Sequence, residues 1–243
     1  QYQNSSNISA RIHLHNLYSE NKQGWFPWLF EQCQLQKNMN VLEIGCGNGA
    51  LWKENLSLIP EEISITLSDI SRGMLRDTQR EIGTKDSRFS FRAFDCHKIP
   101  YPDQQFDLVI PQVCREVSRV LKPQGHFLCS AYGTQHMIEI SRLVQEFDSR
   151  IILSAEKLYE KFGKENGAEL LSPYFHIVQW KLYEDSLFVD TPEPIIEYIL
   201  SCHGNQNQYL LDRYKEFRSY VAKKTTAGFH ITKEAGVFLC QKS

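Results

Sequence analysis

The sequence predicts an α/β fold, a doubly wound and mostly parallel sheet with helices on both faces. Three observations carry that prediction. Between residues 40 and 131, short apolar runs of strand length alternate with stretches of helical spacing, which is the pattern of a parallel sheet with crossover helices. The first run ends in a Gly-rich turn, Gly45-Cys46-Gly47-Asn48-Gly49. The length of 243 residues, 42% of them apolar and 23% charged, suits one such domain with an elaborated edge or at most two small ones.

The elements follow in order. Residues 11–34 mix aromatic and polar groups and predict one or two short helices broken near Gly24 and Pro27. We expect residues 1–34 to form an N-terminal helical lid. Asn40–Ile44 reads as a buried strand, followed by the Gly-rich turn and a helix to about Leu58. Ile63–Ser68 alternates apolar and polar residues, as a strand does. Ser71 then caps a helix to about Ile82. Phe89–Phe94 alternates again, and Phe106–Ile110 is a continuous apolar run covered on both faces. Residues 112–121 keep helical spacing and stop at Lys122-Pro123-Gln124-Gly125, with a fifth strand at His126–Ala131. Gln135–Phe147 and Ser154–Asn166 read as helices, and Phe175–Val189 as one or two strands. Residues 191–223 return to helical spacing, with stripes Ile195, Ile196, Ile199, Leu200 and Leu210, Tyr214, Phe217, Val221. We place a helical insertion at about 191–226 within a main domain of residues 35–243. Phe229–Gln241 is a last strand, or a hairpin turned at Glu234–Gly236.

Bulk properties exclude several classes. Net charge is −2, from 27 basic and 29 acidic residues, and no basic run provides the face of a nucleic-acid binder. The seven cysteines are scattered without a C-x-x-C pair, so neither a zinc site nor a disulfide framework is expected. No apolar run reaches the length of a membrane span. Gln1–Ala10 is polar and uncharged, unlike a secretory leader. The expectation is a cytoplasmic protein with reduced thiols, a monomer or homodimer, with no membrane association.

The Gly-rich turn carries the chemistry. Glycines between a strand and a helix let a ligand approach backbone N–H groups at a helix N-terminus, which attract anions. Phosphates, dinucleotide pyrophosphates and the carboxylate of S-adenosylmethionine all use such turns. A phosphate loop needs Lys-Ser or Lys-Thr after its last glycine, and Asn48-Gly49-Ala50-Leu51 stands here. A dinucleotide fingerprint spaces its glycines G-x-G-x-x-G, whereas this chain reads G-x-G-x-G with Ala50 in sixth place. Glu43, just before the turn, would repel a pyrophosphate. It suits a zwitterion, whose amino group needs an acceptor beside its carboxylate. A glycine turn without any ligand is the plain alternative.

Two further acids narrow the reading. Asp69 ends the second strand, beside the first strand's loop in a doubly wound sheet, where a carboxylate can accept from both ribose hydroxyls. Asp95 ends the third strand, where it can accept from an adenine amino group while the Cys96 N–H donates to a ring nitrogen. Each aspartate alone reads as a turn former. Two acids at successive strand ends are harder to assign to chance.

The segments VLEIGCGNG (41–49), LSDISRGML (67–75), FDCHKIPYPD (94–103), FDLVI (106–110) and EVSRVLKPQGHFL (116–128) resemble the class I S-adenosylmethionine-dependent methyltransferases. The resemblance is to their type 11 small-molecule group, which is similar to the ubiquinone-biosynthesis methyltransferases. It covers about residues 38–132. It implies a seven-stranded Rossmann-like sheet, S-adenosylmethionine as cofactor with S-adenosylhomocysteine as product, and cofactor contacts at Glu43, Gly45, Cys46, Gly47, Asp69, Ile70, Met74, Asp95 and Cys96. Tyr18 joins them as an aromatic from the N-terminal lid, with Trp25 beside it, able to cover a sulfonium by cation–π contact. Tyr198, Tyr209 and Tyr220 are candidates to line an acceptor pocket. For each aromatic, core packing is the plain alternative. In proteins of this group the strand ending FDLVI is followed by about ten residues before the next helix. Here Pro111 follows Ile110 directly, leaving a crossover of barely the dozen residues a parallel connection needs. Either a segment is truly deleted at this junction or one is missing from the sequence, and the second is favoured.

Methyl transfer from a sulfonium needs alignment rather than acid catalysis. No catalytic triad is required, and no catalytic residue is assigned. A small-molecule acceptor is expected. A peptide or RNA substrate, a non-catalytic cofactor-binding protein and an NAD-dependent oxidoreductase are the alternatives, and the charge and glycine spacing count against RNA and NAD.

Overall fold

A computed structural model of the chain describes residues 5–83, 86–110 and 114–243. The junction of Ile110 with Pro111 borders residues 111–113, so the missing segment expected there lies outside the described residues. Seven strands form one sheet: β1 (Asn40–Ile44), β2 (Ser64–Ser68), β3 (Phe89–Arg92), β4 (Phe106–Ile110), β5 (Leu121–Tyr132), β6 (Ile177–Val189) and β7 (Phe229–Gln241), in the order β3-β2-β1-β4-β5-β7-β6. The first five pair in parallel. β1 lies between β2 and β4, with Val41 opposite Ile65 on one side and Leu108 on the other. The strand order therefore reverses at β1 and opens a crevice beyond its C-terminal end.

The helices are α1 (Ser5–Tyr18), α2 (Trp25–Gln32), α3 (Ala50–Lys53), α4 (Arg72–Ile82), α5 (Cys114–Val120), α6 (Ile138–Phe147), α7 (Leu158–Lys161), α8 (Gly167–Leu171), α9 (Pro192–Leu200), α10 (Gln206–Leu210) and α11 (Tyr214–Thr225). The chain divides into two compact units. One holds Gln23–Ala131, Lys164–Tyr183 and Gly236–Ser243. Its core gathers Trp28, Val41, Trp52, Ile65, Leu67, Leu108 and Tyr183. The other holds Gln1–Lys22, Tyr132–Gly163 and Glu184–Ala235. There Leu14, Ile140, Leu143, Ile195, Ile199, Phe217, Val221 and Ile231 pack together. The stripe foreseen on α9 is buried at Ile195, Ile196 and Ile199, whereas Tyr214 of the second stripe is exposed.

Several elements depart from expectation. The helix placed after the glycine turn is a single turn, α3, followed by a 3₁₀ turn at Leu56–Leu58. Ser154–Asn166 contains only α7. The helix stops where Phe162 turns to an extended backbone, and the chain then folds back tightly, since a Cβ on Gly163 would lie 2.5 Å from the Tyr159 carbonyl oxygen. Gly236 makes no hairpin. It sits inside the single strand β7, where a Cβ would strike Lys181 and Trp180, so a close neighbour rather than a turn accounts for the glycine. β5 starts five residues early. Leu121 pairs with Phe106, Gln124 turns to a φ of 61°, and pairing resumes with His126 opposite Leu108. Lys242 ties the turn down by donating to the carbonyls of Ser118 (2.6 Å) and Leu121 (2.8 Å).

The unit that contains α9 to α11 also holds a sealed ion pair. Lys233 of β7 donates to Asp185 of β6, and their side chains are 10% and 0% exposed. Asp185 also accepts from Ser19 Oγ at 2.5 Å and from the backbone N–H groups of Asn21 (3.0 Å) and Ser186 (2.9 Å). Burial alone would raise its carboxyl, but these donors outweigh it and hold the group below the usual carboxylate range. The pair thus stabilises the fold above that range, and the contribution fades as pH falls and Asp185 protonates. Lys233→Met should lower stability by about 3 kcal/mol at pH 7, because it strands a buried carboxylate. Urea unfolding at pH 7 measures this, and an unchanged midpoint would show that Asp185 has no need of Lys233.

Candidate functional site

The glycine turn stands at the C-terminal end of β1, within the unit that contains residues 23–131. Gly45, Gly47 and Gly49 all adopt positive φ (76°, 55° and 70°), a region costly to residues with a Cβ. Gly49 is further constrained, since a Cβ there would lie 2.5 Å from Thr78 Cγ2 on α4. Around Gly45 a Cβ would meet nothing within 4 Å, so that face of the turn is open. The turn is braced from α4, where Thr78 Oγ1 donates to the Gly47 carbonyl at 2.7 Å.

The turn's amides differ from the sequence expectation of a free anion cradle at a helix N-terminus. Gly45 and Cys46 donate to the Ser68 carbonyl (2.7 and 2.9 Å), and Gly49 donates to Cys46 (2.9 Å). Gly47 N–H donates to Asp69 Oδ2 at 3.1 Å. α3 is only four residues long, so the helix contributes little field. What dominates the crevice is acidic.

Glu43 sits at the end of β1, paired with Leu67 of β2 and Ile110 of β4. Its Oε2 accepts from the Trp52 indole N–H at 2.6 Å. Burial pushes its carboxyl up to about 7; the Trp52 bond opposes the rise, and the Asp69 carboxylate adds to it. Asp69 lies just past β2, where its Oδ1 accepts from Ser71 N–H at 2.8 Å. Ser71 in turn caps α4 by accepting from Met74 N–H at 3.3 Å, as its sequence position predicts.

β3 ends at Arg92, so Asp95 occupies the loop beyond the strand rather than its last residue. Its Oδ1 accepts from the His97 N–H (2.9 Å) and lies 2.7 Å from His97 Nδ1. These bonds hold Asp95 below the usual carboxylate range, because a short side chain folds back onto its own turn. Cys96 stands between them, its thiol pushed up by burial and by Asp95. Asp95, Cys96 and His97 bring three metal-capable atoms within 4.8 Å of one another, a grouping that the sequence search for spaced ligands did not anticipate. Arg119 of α5 anchors this loop, donating to the carbonyls of Tyr101 (2.8 Å) and Ile99 (2.9 Å) and to Asp103 and Glu116. Nothing in the sequence patterns marked Arg119 or Trp52, since both act through tertiary contacts.

Ile70 and Met74 flank the turn and stand 77% and 37% exposed, unusual for apolar groups beside a polar crevice. Tyr18 belongs to the other unit, where its hydroxyl lies 2.9 Å from Thr191 Oγ1. Trp25 packs against Trp28 and Tyr183 at ring distances of 5.3 and 5.4 Å. Of the tyrosines named for an acceptor pocket, Tyr209 lies under Arg150, Tyr220 donates to Glu146, and Tyr198 packs edge-on to His15.

Two outcomes follow from this geometry. Gly49→Ala should cost about 2 kcal/mol in thermal or chemical unfolding, from left-handed strain and the clash with Thr78; a neutral substitution would mean that the turn is slack. A carboxyl raised by folding stabilises the unliganded chain below its unfolded value, near 4.5, and that contribution is lost as pH rises through about 7. Unfolding curves across pH 4.5–8 should therefore fall less steeply in Glu43→Gln, and identical slopes would place the titration elsewhere.

Comparison with known proteins identifies the family and the fold. A family model described as "Methyltransferase domain" matches residues 35–166. A demethylmenaquinone methyltransferase of Symbiobacterium thermophilum is 27% identical over 121 residues, covering 43% of this chain and 48% of that protein. The chain thus spans about half the length of that relative. Among solved structures, the YcgJ protein of Bacillus subtilis superposes with a TM-score of 0.55 at 14% identity, over 89% of this chain and 97% of that one. The Haemonchus contortus phosphoethanolamine N-methyltransferase 2, solved with phosphomonomethylethanolamine and S-adenosylhomocysteine, gives 0.54 at 15% identity, over 100% of this chain and 59% of that one. At such identities these two structures support the fold.

Proposed function

The chain belongs to the methyltransferase-domain family, and from that premise we propose that it is an S-adenosylmethionine-dependent methyltransferase acting on a small-molecule acceptor. The observation that carries the reading is the pair of carboxylates at the open glycine turn, Glu43 near the end of β1 and Asp69 just past β2 and bonded to Gly47, with Asp95 in the loop beyond β3. An acidic crevice repels phosphates and suits a ligand rich in donors: an ammonium, ribose hydroxyls and an adenine amino group.

The residues present fit that cofactor. Glu43, raised toward neutrality while empty, regains its charge when an ammonium group pairs with it. Asp69 already accepts from Gly47 and Ser71, and its remaining lone pairs take the ribose hydroxyls. Asp95 and Cys96 take the adenine edge, and exposed Ile70 and Met74 cover its faces. Gly45, Cys46 and Gly47 allow the amino-acid end to lie against backbone. Tyr18 we assign to the aromatic cover of the sulfonium.

When bound, the cofactor supplies a methyl group on a positively charged sulfur, whose departure as a neutral thioether needs no general acid. The protein's part is to hold the acceptor in line behind the methyl carbon and keep water out, an alignment worth about 7–11 kcal/mol. We assign the choice of acceptor to residues 1–34 and about 191–226. The activity for which the demethylmenaquinone relative is named supports a small organic acceptor over a macromolecule, as does the near-neutral charge of the chain.

Calorimetry with S-adenosylhomocysteine tests the reading directly. Asp69→Ala should weaken binding by about 1.5–3 kcal/mol, the value of a hydrogen bond to a charged group. Unchanged affinity would refute its ribose role, and binding without turnover across a panel of small acceptors would leave a cofactor-binding protein that does not catalyse.

A further inference from the structure

Trp52 is the largest side chain sealed completely in the described core, at 0% exposed. Its indole cannot swing. Phe30 packs edge-on at 6.4 Å and Phe89 edge-on at 6.0 Å, from α2 and β3. The one polar atom of that ring, Nε1, points at Glu43 Oε2 from 2.6 Å. A buried indole N–H ordinarily finds an acceptor, and a carbonyl would have served. Here the acceptor is a carboxylate at the mouth of the glycine turn.

We propose that Trp52 is a positioning residue, whose indole N–H holds the Glu43 carboxylate in the orientation that receives the ammonium group of the cofactor. The inference rests on the cofactor reading above and extends it to a residue that no ligand touches. The reasoning is one of charge. Glu43 is faced by Asp69 past β2, by Cys33 at the end of α2 and by Cys46 in the turn. Burial and Asp69 both press it toward the neutral acid, and the indole donor acts the other way. A neutral carboxyl can rotate and donate, and it cannot balance an ammonium. The indole N–H stabilises the ionised form and fixes which oxygen turns outward, Oε1 being left for the ligand.

A phenylalanine at 52 keeps most of the packing and removes the donor. In the wild type, affinity for S-adenosylhomocysteine should rise as pH goes from 5.5 to 7.5, following Glu43 ionisation. In Trp52→Phe that rise should move up by about one pH unit, with binding about fivefold weaker at pH 7. In a Glu43→Gln background the same substitution should change affinity by less than about twofold, because the group it acts through is gone. A merely structural tryptophan would weaken binding equally at every pH and in both backgrounds, and that result overturns the proposal.

The wild type provides a second readout that needs no variant. The indole N–H proton resonance of Trp52 should titrate with a midpoint near that of Glu43 and shift when S-adenosylhomocysteine binds. A resonance that ignores both, in a protein that binds S-adenosylhomocysteine, overturns this inference alone. A wild type that fails to bind S-adenosylhomocysteine overturns the cofactor reading and this inference with it.

Discussion

Everything in the cofactor half depends on β1 being held between β2 and β4. Val41 and Leu42 are completely buried, and hydrogen bonding runs to parallel neighbours on both sides. A strand so enclosed has no freedom to slide, because a shift of one residue would send its core side chains to the wrong face. Its end is therefore a fixed point. Glu43 emerges there, the chain must turn away from the sheet at Gly45, and the reversal of strand order leaves the space above unfilled. The crevice is what remains when helices on both faces diverge from a central strand.

Acidity in that crevice is costly for the empty protein and useful to the filled one. Glu43 near the Asp69 carboxylate is a like-charge arrangement, and burial makes it worse. The chain tolerates it by supplying donors: an indole for Glu43, two backbone amides for Asp69, and His97 for Asp95. These bonds leave each carboxylate with acceptor capacity to spare. On the cofactor reading proposed above, such a site is arranged for a cation and hydroxyls before either arrives, which lowers the reorganisation that binding requires.

The second unit is built on different terms. Its core is aliphatic and aromatic, drawn from α6, α9, α11 and β7, and its buried charges neutralise each other at Lys233 and Asp185. His15 and His136 belong to it as well. Both are pushed down to about 4, first by burial and next by Lys233, so they stand neutral at physiological pH. These are the marks of a unit whose polar groups hold it together.

The sequence by itself determined the alternation of strand and helix from 40 to 131, the glycine turn and the acids around it. All of these are local signals, written in periodicity and in residues with few other uses. Glu43, Asp69 and the Ser71 cap could be placed because each lies within three residues of the end of a strand. Tertiary structure decided the rest. Gly236 left a single strand and a hairpin turn both open, and the structure shows the strand with a close approach at the glycine, because the residue it accommodates, Lys181, lies more than fifty positions away in sequence. The helix read over 154–166 stops after one turn, because Phe162 takes an extended backbone. Trp52 gave no signal at all: a tryptophan three residues past a glycine turn looks like core packing, and it is. Its ring is packed by Phe30 of α2 and Phe89 of β3 while it donates to Glu43, and contacts between distant segments leave no period in a sequence.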